Sequence, residues 1–166
     1  MAARSLSSSS ERPRLLDLYC KQGGAAKGYA DAGFEILGVD IEPQPRYPYE
    51  FVQMDALEFL GYPGPAWGDQ PFLASPASPP CQAYTTLRTL QGGKEYPDLV
   101  DPTRELLKAT GLPYVIENVV GAPLVNPIML CGSSFGKRLR RHRLFECHGF
   151  LVIAPRVYCG ETGRQE

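Results

Sequence analysis

RLLDLYCKQGGAAKGYADAGFEILGVD, residues 14–40, reads as one complete structural unit. Residues 14–19 are a short, mostly apolar run halted by Gly23-Gly24. Ala25, Ala26, Tyr29, Ala30 and Ala32 then recur at helical spacing until Gly33 stops them. Residues 34–40 form a second apolar run ending in Asp40. A strand, a glycine turn, a helix and a second strand open a parallel α/β sheet, in which crossover helices alternate with strands. The later chain keeps that rhythm. Residues 50–54 predict a third strand leading into a short helix over 55–60, and residues 99–110 a helix stopped by Gly111. A strand over 113–116 follows, then others over 128–131 and 144–147. The fourth strand, over 71–75, is poor, because Pro71 and Pro76 bracket it and Ala and Ser replace the Val and Ile of a buried parallel strand.

With 166 residues, 43% of them hydrophobic and 21% charged, the chain has the size and composition of one globular domain. Its apolar runs fall short of the ~18–20 residues that cross a bilayer. Residues 1–12 contain basic and serine residues without the apolar stretch of a secretory signal, so they read as a flexible tail. Residues 13–155 read as the folded domain, residues 156–166 as a flexible end, and the setting as cytoplasmic. Cys20, Cys81, Cys131, Cys147 and Cys159 are odd in number and form no C-x-x-C, which argues against a disulfide framework and a zinc ribbon. His142 and His148 fit no zinc-like quartet and read as ordinary polar residues. The net charge of -1 hides a focus: five cations crowd into Lys137-Arg138-Leu139-Arg140-Arg141-His142-Arg143, a phosphate footprint or a solvated turn.

Four segments carry chemistry. The Gly23-Gly24 turn, with Asp40 closing the second strand, suits a nucleotide-like cofactor: backbone approaches it at the helix start and an acidic side chain meets ribose hydroxyls. In Ser78-Pro79-Pro80-Cys81-Gln82, two prolines fix the backbone ahead of a thiol just beyond a strand's carboxyl end, where open α/β sheets place ligands. Such a thiol is a candidate nucleophile, the alternative being a small buried hydrophobe. Glu117, at the end of the strand leading to Asn118, either reaches water or meets a polar partner in a cleft. In the cleft its pKa rises and it can share a proton with a ring nitrogen. Arg141 and Arg143, two residues apart, point the same way in extended chain and suit a grip on a carbonyl or phosphate, while His142 points opposite.

In this order DLYCKQGG, GVD, Asp55, SPPCQ, ENV and RHR resemble the DNA (cytosine-5) methyltransferase family, particularly its short, phage-like members, over residues 14–150. The resemblance implies a Rossmann-like methyltransferase sheet and S-adenosylmethionine as methyl donor. Tyr19, Cys20, Gly23 and Gly24 would surround its methionine part and Asp40 its ribose. Asp55 would sit near the adenine amino group, with Ile41, Ala56 and Pro79 as further cofactor contacts. It also implies that Cys81 attacks C6 of cytosine while Glu117 holds N3. Arg143 and Arg141 would meet the base carbonyl and the surrounding backbone, and Pro80, Gln82 and Asn118 the substrate. Because C5 and C6 are shielded in a stacked duplex, the base must be flipped out or single-stranded.

Three features depart from the family. Lys21-Gln22 stand where the family has Gly and a small residue, predicting a crowded donor pocket. Leu73 and Pro76 stand in the fourth strand, predicting a distorted platform for Cys81. The chain ends soon after R-x-R, without a long target-recognition region, predicting a sheet incomplete on its C-terminal side. The expected partner is DNA, with a second protein chain able to supply target recognition or complete the fold. Two other readings stay open: a non-catalytic or partner-dependent DNA-binding relative, and an enzyme acting on free pyrimidine nucleotides.

Overall fold

The computed structural model describes residues 12–62, 71–84 and 96–155. The strands are β1 (Arg14–Leu18), β2 (Glu35–Asp40), β3 (Glu50–Gln53), β4 (Phe72–Ala77), β5 (Tyr114–Asn118), β6 (Ile128–Cys131) and β7 (His142–His148). They form one sheet in the order β3-β2-β1-β4-β5-β7-β6. Strands β3 to β5 run parallel, and β7 runs antiparallel to both β5 and β6. Three helices follow the expected positions: α1 (Gly24–Asp31), α2 (Ala56–Gly61) and α3 (Val100–Thr110). The strands expected over 128–131 and 144–147 are β6 and β7, which complete the β5 side of the described sheet. The predicted tails lie outside the described residues apart from Arg12, as does Cys159. No helix among the described residues is long and apolar enough to cross a membrane.

Alternation along the strands sorts side chains between two layers. Leu16 and Leu18 of β1, Leu37 and Val39 of β2, and Tyr114 and Ile116 of β5 join Phe59 and Leu60 of α2 and Leu107 of α3 in the main core. Leu15 and Ile36 face the other way and pack with Ala26 of α1, joined by Tyr29 and Tyr47. Glycines in the left-handed region close α3 at Gly111 (φ 72°) and begin α1 at Gly23 (φ 82°), as turns of that kind require.

The fourth strand carries the expected irregularity at Leu73, an extra residue between the Arg14–Phe72 and Leu15–Ala74 pairs, but it continues through Pro76. Ser75 donates its N–H to Pro113 O on the β5 side (2.9 Å), so the neighbouring position faces β1. There Ser78 N–H reaches Leu18 O at 3.2 Å, and two residues earlier the same ladder calls for a donor that Pro76 lacks. The Ser75 hydroxyl supplies it, bonding Leu16 O at 2.9 Å. A buried carbonyl therefore stays paired and the strand survives its proline.

A buried ion pair ties β7 to α3. Arg104 meets Glu146 through Nε and Nη2, each at 2.8 Å, and donates to Pro123 O at 2.7 Å. Glu146 also accepts from Val125 N–H at 2.8 Å and from the Tyr114 hydroxyl at 3.4 Å. Burial pushes this carboxyl up, but the Arg104 hydrogen bonds and the Val125 N–H outweigh it and hold Glu146 below its ordinary value. Arg104→Met strands a buried carboxylate and should cost about 3–5 kcal/mol in urea unfolding, with stability largely restored by adding Glu146→Leu. Since the folded value is depressed, the pair stabilises at neutral pH. That contribution should fade as pH drops from the ordinary 4.5 through the folded value.

Candidate functional site

The parallel strands deliver their carboxyl ends to one edge of the sheet, and the predicted residues gather along it. A cavity of about 820 Å³ opens there. Lys21 and Gly24 enter from the turn after β1, and Ser78 to Gln82 from the segment after β4. Glu117, Asn118 and Val119 close β5, and Leu139, Arg141 and Arg143 arrive with β7. Residues far apart in the chain thus share one wall because β7 lies beside β5. Glu117 is opposite Phe145 in that antiparallel ladder, so Arg143 is its diagonal neighbour on the same face.

The contact is direct: Arg143 Nε lies 2.8 Å from Glu117 Oε1, and both side chains are partly buried. Burial raises the Glu117 pKa; Arg143, Arg141 and a hydrogen bond with Ser78 pull it back, and the net value stays above that of an ordinary glutamate. His142 pairs across to Cys131 of β6, on the opposite face from Arg143, as extended chain demands. Cys81 is half-buried on the cavity wall. Its leader is tied down by Asn118, whose Nδ2 donates to Pro79 O at 3.0 Å and whose Oδ1 accepts Val119 N–H at 2.8 Å. Asn118, 1% exposed, therefore holds the Pro-Pro segment against the end of β5.

Among the expected cofactor positions, Gly24 and Pro79 line the cavity, while Tyr19, Cys20, Gly23, Asp40, Ile41, Asp55 and Ala56 lie outside its lining, around the ends of β1, β2 and β3. Two of those turn their side chains elsewhere: Tyr19 bonds Thr103 at 2.7 Å and packs on the core, and Ala56 is 2% exposed within it. Their contribution to this edge is backbone. Asp55 accepts the N–H groups of Leu57 (2.8 Å) and Glu58 (3.1 Å), capping α2. Ile41 is 62% exposed beside Asp40. The Asp40 carboxylate is buried and accepts the N–H groups of Lys21 and Glu42, each at 3.0 Å. Lys21 sits at φ 46° in the left-handed region, with its ammonium 2.9 Å from Glu42 and 3.8 Å from Asp40. Lys21 lines the cavity, with its ammonium held at the acidic end of β2.

Tyr47, from the loop between β2 and β3, is the residue that sequence reasoning missed. A Cβ on Gly38 would come within 2.4 Å of its ring, and one on Gly23 within 3.0 Å. The signal was Gly38 itself, since glycine inside a strand marks a close approach. Beneath the ring lie Cys20, whose thiol burial pushes up to about 12, and Asp17, whose carboxyl accepts the Tyr47 hydroxyl at 3.5 Å. Cys20 is thus a core thiol, unlike Cys81.

No protein-family model and no curated protein matches the chain. Solved structures do. A Haemophilus influenzae protein provisionally named a methylase is 13% identical, with a TM-score of 0.50, covering 82% of this chain and 87% of its own. A hypothetical protein of Thermus thermophilus is 19% identical (TM-score 0.49), covering 82% and 75%. An S-adenosylmethionine-dependent methyltransferase of Agrobacterium tumefaciens is 16% identical (TM-score 0.47), and the match covers 81% of this chain but 55% of that one. At these identities the likeness is one of fold: the sheet is a Rossmann-like α/β sheet, as in the Haemophilus influenzae protein.

Burial, then the Tyr47 bond against it and Asp40 in support, raise the Asp17 pKa from 3.8 to about 7. A carboxyl raised in the folded state gives stability that is full below 3.8 and lost as pH climbs through about 7. Urea midpoints measured across that range should fall for the wild type, and the slope should flatten in Asp17→Asn.

Proposed function

We propose that the chain is an S-adenosylmethionine-dependent methyltransferase acting on C5 of cytosine in DNA, through a transient bond from Cys81 to C6. The observation that carries the reading is the convergence of Cys81, Glu117, Arg141 and Arg143 on one cavity at the carboxyl edge of the sheet. Each residue has a task that the chemistry of cytosine requires. Attack of the Cys81 thiolate on C6 pushes the C5–C6 π electrons toward N3 and makes C5 nucleophilic. A carboxyl above its ordinary pKa, facing N3, shares a proton there and stabilises the developing charge. Arg143 holds Glu117 in place at 2.8 Å and offers its remaining N–H groups to the base carbonyl. Once C5 carries a methyl group, loss of its proton to solvent lets the electrons return and expel Cys81, restoring the ring.

The residues present fit the methyl donor. A Cβ on Gly24 would meet nothing within 4 Å, so the first turn of α1 leaves room beside its free N–H groups for a carboxylate. In this reading Asp40 and Glu42, at the end of β2, take the ribose hydroxyls and Asp55, at the start of α2, the adenine amino group. Bound there, S-adenosylmethionine would supply an electrophilic methyl group. The exposed cations of residues 137–141 beside the cavity favour a polyanionic substrate over a free nucleotide.

The test uses labelled S-adenosylmethionine and DNA bearing 5-fluorocytosine, which blocks release of Cys81. A denaturation-resistant adduct is expected from the wild type and none from Cys81→Ser. Glu117→Gln should slow its formation by roughly 10²–10⁴-fold while DNA retention persists. Retention without an adduct would make the protein a DNA-binding module, and labelling of free cytidine nucleotide alone would make it a nucleotide enzyme. Lys21→Gly removes a left-handed non-glycine residue and an ammonium that opposes a sulfonium cation. It should therefore tighten S-adenosylmethionine binding by calorimetry.

A further inference from the structure

Leu139 is out of character with its surroundings. It is 57% exposed, yet it lines the cavity that holds Cys81 and Glu117. Its neighbours Lys137, Arg138, Arg140 and Arg141 are all exposed cations. None of these four is in an ion pair with a carboxylate among the described residues. An apolar side chain centred in such a segment has no core to fill and no ion to shield.

The segment is also fixed from behind. A 3-10 turn, Gly132–Phe135, follows β6, and Gly136 closes it in the left-handed region at φ 68°. Lys137 N–H returns to Gly132 O at 3.0 Å and Gly136 N–H to Ser133 O at 3.2 Å. A Cβ on Gly132 would lie 2.5 Å from Leu139 O, so the backbone of residue 139 is seated directly on that turn. The turn in turn hangs from Cys131, 1% exposed and paired with His142 of β7. Residue 139 is therefore placed by the sheet, at the same edge as Glu117 and Arg143.

We propose that Leu139 is an apolar wedge that enters duplex DNA at the target step and fills the space left when cytosine turns into the cavity. The proposal rests on the reading of the cavity as a cytosine site and names the duplex, rather than a single strand, as its partner. The physical need is specific. Extruding a base breaks its stacking on both sides and leaves a hole lined by apolar ring faces. A leucine side chain fills such a hole without demanding hydrogen bonds, while cations on either side grip the phosphates that must spread. Arg138 and Arg140 flank residue 139 in the chain, and both are exposed. Residue 139 thus acts as a positioning residue, opening the duplex for groups that touch the base.

Two readouts test it. The first is the fluorescence of 2-aminopurine placed beside the target cytosine, which brightens when stacking is broken and needs no methyl transfer. The second is the ratio of methylation rates on duplex and on single-stranded DNA of the same sequence. The wild type should brighten the duplex. Leu139→Ala should not, and its duplex-to-single-strand ratio should fall by about tenfold or more. Leu139→Met should keep most of both signals. An abasic site opposite the target, which weakens stacking and pairing, should restore the alanine variant toward wild type. A merely structural role would lower both substrates together and show no such rescue. Equal brightening by wild type and Leu139→Ala, or equal loss on duplex and single strand, overturns the wedge and leaves the cytosine reading standing. A wild type that brightens the duplex but transfers no methyl group to either substrate overturns that reading and keeps the wedge. Neither brightening nor transfer overturns both.

Discussion

The reversal of β7 between β5 and β6 is the constraint on which the candidate site depends. Because the ladder is antiparallel with Glu117 opposite Phe145, period-two alternation sends Arg143 to the face of Glu117 and Glu146 to the other. One strand thereby supplies the cavity with a guanidinium and the core with a carboxylate. The Arg104–Glu146 pair fixes that strand from below, against α3 and the segment from Pro123 to Val125. A slip of one residue would exchange the two faces, burying Arg143 and releasing Glu146, so the register is specified by charge as well as by apolar packing.

Glu117 and Glu146 show what a glutamate becomes under two arrangements of similar partners. Each is desolvated and each meets an arginine. Glu146 has a bidentate guanidinium, a backbone N–H and a phenol hydroxyl, and its ionised form wins. Glu117 has fewer donors, with Arg141 acting from farther away, and its protonated form gains. The first arrangement stabilises; the second leaves a carboxyl able to exchange a proton with a ligand. The cavity carboxyl owes its character to the donors that are missing around it.

At the cofactor side the turn after β1 is held in shape at some cost. Tyr19 and Lys21 occupy the left-handed region at φ 58° and 46°, each a strain of about 1–2 kcal/mol for an L-residue. Cys20 N–H to Val39 O, Gly23 N–H to Cys20 O and the Lys21 N–H to Asp40 bond over-determine the turn and keep it there. Tyr47 covers it, and the missing side chains of Gly23 and Gly38 make that possible. The turn leading into α1 therefore depends on a loop far along the chain.

Much of the architecture was legible in the residue order. The alternation of apolar runs with glycine-ended helical segments placed β1, α1, β2, β3, α2 and α3, because secondary structure follows local periodicity and backbone freedom. Cys81, Glu117, Arg141 and Arg143 were picked out by residue type and position at strand ends. What lay beyond reach were relations between distant segments. Pro76 looked disruptive because its remedy, the Ser75 hydroxyl on Leu16 O, exists only across a strand pair. Tyr47 carried no local signal of its own, and Leu139 stood only as one member of the basic run 137–143. The sequence by itself determined which groups could do chemistry and which strands would carry them, since those properties belong to single residues and short windows. Only the tertiary structure decided that Arg143 lies against Glu117 and Glu146 against Arg104. Strand order, direction and register come from the summed packing of the whole sheet, and no short window of sequence contains that sum.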